Sequence, residues 1–94
     1  LYRYIQIFMK INELIEVLNK KLNENFNISS LKIEDKSFLH KNHKSFMKDK
    51  FHIKLVLISD ELKALKPIDA NKKIYKTLKN EMNNHIHSLQ IKIN

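Results

Sequence analysis

The chain has 94 residues, with 18 Lys and Arg against 10 Asp and Glu for a net charge of +8, one proline, and no cysteine, glycine or tryptophan. That length makes one domain with a small core, and no apolar stretch approaches the ~18 residues of a membrane-spanning helix. Without cysteine the chain supplies no disulfide, thiol nucleophile or thiolate metal ligand; without glycine it holds neither a P-loop nor a dinucleotide fingerprint, which need glycine where backbone meets phosphate.

Residues 1–10 read as an N-terminal extension or the start of the first helix, and residues 11–94 as the single domain. The segment 1–12 carries Arg3 and Lys10 and no acid. It suits the tail of an organelle-targeting segment, and equally Met9 as an initiator. Residues 11–26 predict an amphipathic helix, with Ile11, Ile15, Leu18 and Leu22 on one stripe and Leu14 and Phe26 flanking it. Residues 30–37 alternate and predict a half-buried strand. Residues 38–50 read as a polar, Lys-rich loop. Residues 51–59 give the strongest strand, expected at the centre of its sheet because both faces carry apolar residues. Residues 60–67 read as a connection, and Pro67 suits a helix start. Residues 69–83 carry Ile74, Leu78 and Met82 at spacing four, with Lys72, Lys73, Lys76 and Lys79 mostly on the exposed surface. Residues 86–93 close the chain as a strand. The order helix, strand, strand, helix, strand predicts an α+β arrangement with two helices on one face of a small three-stranded mixed sheet.

The charge carries less information than its size suggests. Hydrophobic residues make up 43 % and charged residues 30 % of the chain, ordinary for a soluble globular domain. The basic residues are 17 Lys and the single Arg3, amid abundant Asn and Ile. Bidentate or stacked contacts to nucleic acid favour Arg. The excess still attracts polyanions and acidic partners in a salt-dependent way.

Five histidines are the residues with the most chemistry: His40, His43, His52, His85 and His87. Strand parity puts His87 on the core face with Leu89 and Ile91. There an imidazole is either a hydrogen-bonded group at the rim of the core or a ligand. His40 and His43 lie three apart in the loop, where solvation is the plain reading. His52 opens the central strand and reads as a strand-end residue bonded to backbone. Asp35, Ser37 and His40 are the residue types of a catalytic triad, but a triad needs convergence and an oxyanion site that a loop in so small a domain rarely builds. Asp60 and Glu61 sit together in a turn. An enzyme is not expected.

Four blocks of residues resemble the BolA-like protein family. Asp35, Ser37 and His40 match its D-x-S-x-x-H motif. The stretch 51–59 (FHIKLVLIS) is similar to its T-H-F-K-V-x-L-V-S strand, 74–82 (IYKTLKNEM) to its V-Y-x-x-L-x-x-E-L helix, and 86–91 (IHSLQI) to its closing V-H-A-L-x-I strand. The blocks fall in family order over about residues 11–93. The resemblance implies a class II KH-like fold. It also implies a heterodimer with a monothiol glutaredoxin that shares a [2Fe–2S] cluster, with one Cys from the glutaredoxin and a second thiol from bound glutathione. On this side it implies His87 as one ligand and, from the loop, His40, with His43 three residues away as a substitute. His52, Asp35 and Ser37 then become supporting residues. The isolated chain is expected to be a monomer without a cluster and without membrane contact, in mitochondria or cytoplasm, with the histidine-type loop tilting toward mitochondria.

Two departures bear on a second role attributed to some members, transcriptional regulation through nucleic acid. Where the family carries basic R-H-R before the second helix, this chain has Ala70, Asn71 and Lys72, and a family glycine corresponds to Ala64. KH folds clamp the nucleic-acid backbone with a GXXG loop, which a chain without glycine lacks in its usual form. Lys72, Lys73, Lys76 and Lys79 are the residues left to form a docking or nucleic-acid surface.

Overall fold

In a computed structural model the chain is described over residues 10–37 and 50–94. Helix α1 (Ile11–Asn25) owes its position to a leucine stripe: Leu14, Leu18 and Leu22 lie four apart and are fully buried. Glu13 in the first turn reaches back to accept the Lys10 N–H at 3.2 Å, closing the N-terminus. At the other end Asn23 and Asn25 donate their amides to the carbonyls of Asn19 and Lys21 at 2.8 and 2.7 Å. The asparagine-rich segment thus satisfies helix carbonyls as the chain leaves extended at Phe26.

Strands β1 (Ser30–Asp35), β2 (Phe51–Ile58) and β3 (Ile86–Ile93) form one sheet in the order β1-β2-β3. β2 is central, as its apolar pattern predicts. It pairs antiparallel with β1 and parallel with β3, so the sheet is mixed. Leu31 and Ile33, then Ile53, Leu55 and Leu57, then Leu89, Ile91 and Ile93 line one face and pack against the helices. The other face carries Lys32 and Glu34, then His52, Lys54, Val56 and Ile58, then Ser88, Gln90 and Lys92.

The segment expected as a simple connection holds a one-turn helix, α2 (Asp60–Lys63). Ser59 causes it. Its buried hydroxyl donates to the Asn27 carbonyl at 2.7 Å and accepts the Leu62 N–H at 3.2 Å, so one oxygen caps a helix and ties it to the end of α1. Ser59→Ala is expected to lower stability by about 1–2 kcal/mol, since it removes the cap and strands a buried donor and acceptor. A shift in urea midpoint with unchanged slope checks this.

The helix expected over 69–83 starts two residues earlier, at Pro67 in its first turn, and is broken in two: α3 (Pro67–Thr77) and α4 (Lys79–Asn84). The break is at Leu78, with φ −100° and ψ 18°. Thr77 donates its hydroxyl to the Lys73 carbonyl at 2.9 Å, a back-bond that bends helices, while Leu78 stays buried as an anchor. Across the bundle, Lys21 of α1 donates to both carboxylate oxygens of Glu81 in α4, at 2.7 and 2.9 Å; Glu81 is 3 % exposed. No described residue has a positive φ, so this backbone runs without the conformations that demand glycine.

Candidate functional site

The start of β3 decides where its histidines point. Phe51 of β2 pairs with Ile86, but the next residue, His52, pairs with Ser88. β3 therefore carries one extra residue, His87, and the in–out alternation breaks there. Ile86 and Leu89 both point into the core although they are three apart, and His87 and Ser88 between them are both exposed. This corrects the expectation that His87 shares the core face with Leu89 and Ile91. The bulge turns it out of the core and leaves its imidazole open to a partner.

The bulge also brings His87 to His52. The two rings meet edge to face, with centroids 5.0 Å apart and planes at 72°. His52 Nδ1 lies 2.7 Å from the Ser88 hydroxyl, a hydrogen bond that fixes the ring's orientation from the neighbouring strand. His52 is also held by its backbone. Its N–H donates to the Ser37 hydroxyl at 3.1 Å, and its carbonyl accepts the Lys36 N–H at 2.7 Å. Asp35 in turn accepts the Ser37 N–H at 2.9 Å. Asp35 and Ser37 thus pin the end of β1 to the start of β2, at the two ends of the 38–49 segment. His40 and His43 lie outside the described residues, and so does the third member of the Asp35–Ser37–His40 set. Among the described residues, no three His, Cys, Asp or Glu side chains group to hold a metal ion.

His85, for which the sequence suggests no role, is 6 % exposed, and its Nδ1 has no hydrogen-bond partner among the described residues. Its backbone joins α4 to the sheet: the N–H bonds the Glu81 carbonyl and the carbonyl accepts the Phe51 N–H, each at 2.8 Å. His85 and His87 therefore lie on opposite sides of the entry to β3, one packed and one open.

Lys72, Lys73, Lys76 and Lys79 are all exposed, as expected. Lys73 and Lys76 line a shallow groove with Asn25, Phe26 and Thr77; Lys72 and Lys79 do not. Ala70 is buried in the core and, with Asn71 and Lys72, lies inside α3 rather than before it. Ala64 ends α2 in helical geometry, so an alanine serves there.

On the helix-free face, Glu34 is the acid among lysines. The Lys36 ammonium bonds its carboxylate at 2.8 Å, and with Lys32 and Lys54 nearby it holds Glu34 below the usual value of 4.5. A depressed folded-state value contributes stability above 4.5 that is lost as pH falls through it. Thermal midpoints of Glu34→Gln are therefore expected to lie slightly below wild type at neutral pH and to converge with it in acid.

The family model described as BolA-like protein matches residues 22–94. The chain belongs to the BolA-like family. Its relatives include proteins named DNA-binding transcriptional regulator BolA. That of Vibrio cholerae is 30 % identical over 76 residues, covering 81 % of this chain and 69 % of the relative. That of Haemophilus influenzae is 29 % identical, covering 81 % and 71 %. In structure, this BolA-like chain is similar to the BolA domain of SufE1 from Arabidopsis thaliana, with a TM-score of 0.71 at 24 % identity over 84 % of this chain and 87 % of that one. It is also similar to BolA1 from the same plant, with a TM-score of 0.69 at 20 % identity over 83 % and 86 %. These likenesses establish the α+β BolA fold expected from the four blocks.

Proposed function

We propose that this BolA-like protein is the partner of a monothiol glutaredoxin and shares with it a glutathione-assisted [2Fe–2S] cluster, as a non-catalytic carrier in iron–sulfur assembly, trafficking or iron regulation. The observation that carries the reading is the bulge that exposes His87 beside His52. A ligand shared between two proteins must be reachable from outside, and an imidazole in the core would not be. On this reading His87 holds an iron, and His40, or His43 in its place, supplies the second ligand from the loop. Bound there, an imidazole-ligated cluster has a higher potential and less negative charge than an all-thiolate one, and its retention depends on a deprotonated ring. Ser88 orients His52, and Asp35 and Ser37 fix the backbone beneath it.

Anaerobic reconstitution with a monothiol glutaredoxin and glutathione tests the proposal. The mixture is expected to show visible absorption and circular dichroism distinct from those of glutaredoxin alone. Identical spectra would sink it.

A second reading, DNA-binding regulation, is favoured by the names of the curated relatives. The exposed Lys73 and Lys76, which line a shallow groove with Asn25, Phe26 and Thr77, support it. It requires duplex binding that persists at near-physiological salt and prefers a sequence. Binding that vanishes as salt rises is the bare charge.

A further inference from the structure

The sheet face that the described helices leave open is ordered by register into rows. His52 lies beside Ser88, Glu34 beside Lys54 and Gln90, Lys32 beside Val56 and Lys92, and Ser30 beside Ile58. Lys36 joins the second row through its 2.8 Å bond to Glu34. Three ammonium groups, those of Lys36, Lys32 and Lys54, therefore surround a single carboxylate, and Lys92 adds a fourth lysine to the same face. Lys92 pairs with no acid among the described residues, and Lys32 reaches Glu34 only at 3.9 Å. Within this charged frame Val56 is half-buried and Ile58 is 46 % exposed. An aliphatic centre inside a polar, charged rim is the anatomy of a protein–protein contact.

Resting on the function proposed above, we infer that this helix-free face is the docking surface for the glutaredoxin, and that the partner surface meeting it is acidic around an aliphatic contact. Charge complementarity argues for acidity, because an excess of ammonium groups is matched by carboxylates and repels a basic face. Continuity argues for the place. His52 and Ser88 form the end row of this same face, with the His87 ring at its rim. The Val56 row lies only about 13 Å further along the strands. A standard interface covers ~800 Å² on each partner, a patch roughly 28 Å across, so a protein seated at His87 and continuing along the sheet covers Lys54, Val56 and Lys92. The surface does not suit nucleic acid. Beyond the His52 and His87 rings at one end, its described rows offer no aromatic side chain for a base to stack on, and a three-stranded sheet does not enter a groove that admits a helix or a two-stranded ribbon.

The test is isothermal titration of glutathione-loaded monothiol glutaredoxin, with and without reconstituted cluster, into wild type, Lys32→Glu/Lys92→Glu and the milder Lys32→Gln/Lys92→Gln. Amide spectra of the labelled protein give the footprint and confirm that the variants fold. The expected result is shifts at Lys32, Lys54, Val56, Ile58 and Lys92. The affinity should weaken about tenfold for the charge reversal and less for the glutamines, with a flatter salt dependence in both. A complex that forms with its footprint elsewhere, or with unchanged affinity in both variants, overturns this inference and leaves the cluster reading standing. No complex in either form overturns both. A short DNA duplex that shifts the same amides near physiological salt and displaces the glutaredoxin overturns it in favour of nucleic acid.

Discussion

His87→Ala is expected to abolish the circular dichroism that distinguishes the mixed glutaredoxin complex from glutaredoxin alone, while leaving the unfolding free energy within about 0.5 kcal/mol of wild type. Both halves follow from the bulge. His87 is exposed, so truncating it opens no cavity and strands no buried group. Had it kept the strand's parity, the same change would have cut into the core beside Leu89 and cost stability first. His52→Ala separates ligand from support: the ring beside His87 and its bond to Ser88 disappear, but His87 remains. Supporting groups of this kind are worth about 10–100-fold in metal affinity, so a weakened but recognisable signature is expected. His85→Ala gives the reverse pattern, because His85 is packed between α4 and the sheet. It is expected to lower the urea midpoint and leave the spectrum of the assembled complex alone. Spectra and midpoints recorded together for the three variants check the assignment; equal spectral loss in all three would mean that no one imidazole is the ligand.

The three histidines also show what the sequence discloses and what it withholds. Periodicity located α1 and β2 because their burial repeats every 3.6 and every two residues within one element. The leucines of α1 and the Ile53–Leu55–Leu57 row are buried as those patterns predict. The four motif blocks were legible for the same reason, each being local. His87's direction is not, because it depends on one residue added to β3 relative to β2; the local trace of that bulge is Ile86, an apolar residue out of parity with Leu89, Ile91 and Ile93. The contact of His52 with Ser88 spans 36 residues and exists only in the shifted register. The split between α3 and α4 is hidden in the sequence because Ile74, Leu78 and Met82 keep helical spacing across the break. Only Thr77, a residue able to bond back to the preceding turn, hinted at it. By pattern Ser59 ends a strand, and its capping role appears only once Asn27 and Leu62 converge on it.

The ion pair between α1 and α4 is the feature furthest from sequence view, 60 residues apart in the chain, and it yields the largest expected stability effect. Glu81 is almost fully buried and has both oxygens engaged by Lys21, which keeps about a third of its side chain exposed. Removing the two partners is therefore not equivalent. Lys21→Met leaves a buried carboxylate without its counter-charge. Breaking a buried pair this way costs about 3–5 kcal/mol, and partial water access near Lys21 puts the expected loss near 3. That is a large share of the ~5–10 kcal/mol that holds a domain of this size. Glu81→Leu removes the buried charge and leaves a lysine whose ammonium can turn to solvent on its aliphatic stem, so it is expected to cost about 1 kcal/mol. The double substitution Lys21→Met/Glu81→Leu should return to within about 1 kcal/mol of wild type, or exceed it, since an apolar contact replaces two desolvated charges. Urea unfolding of all four proteins closes the cycle. Additive losses would show that the two groups act independently. The pair matters beyond stability, because the Glu81 carbonyl holds the His85 N–H two residues before His87. Loosening α4 in Lys21→Met is therefore expected to broaden the amide signals of residues 85–88 while those of β1 stay sharp. In the double variant, where the helix is packed again, the same signals should recover.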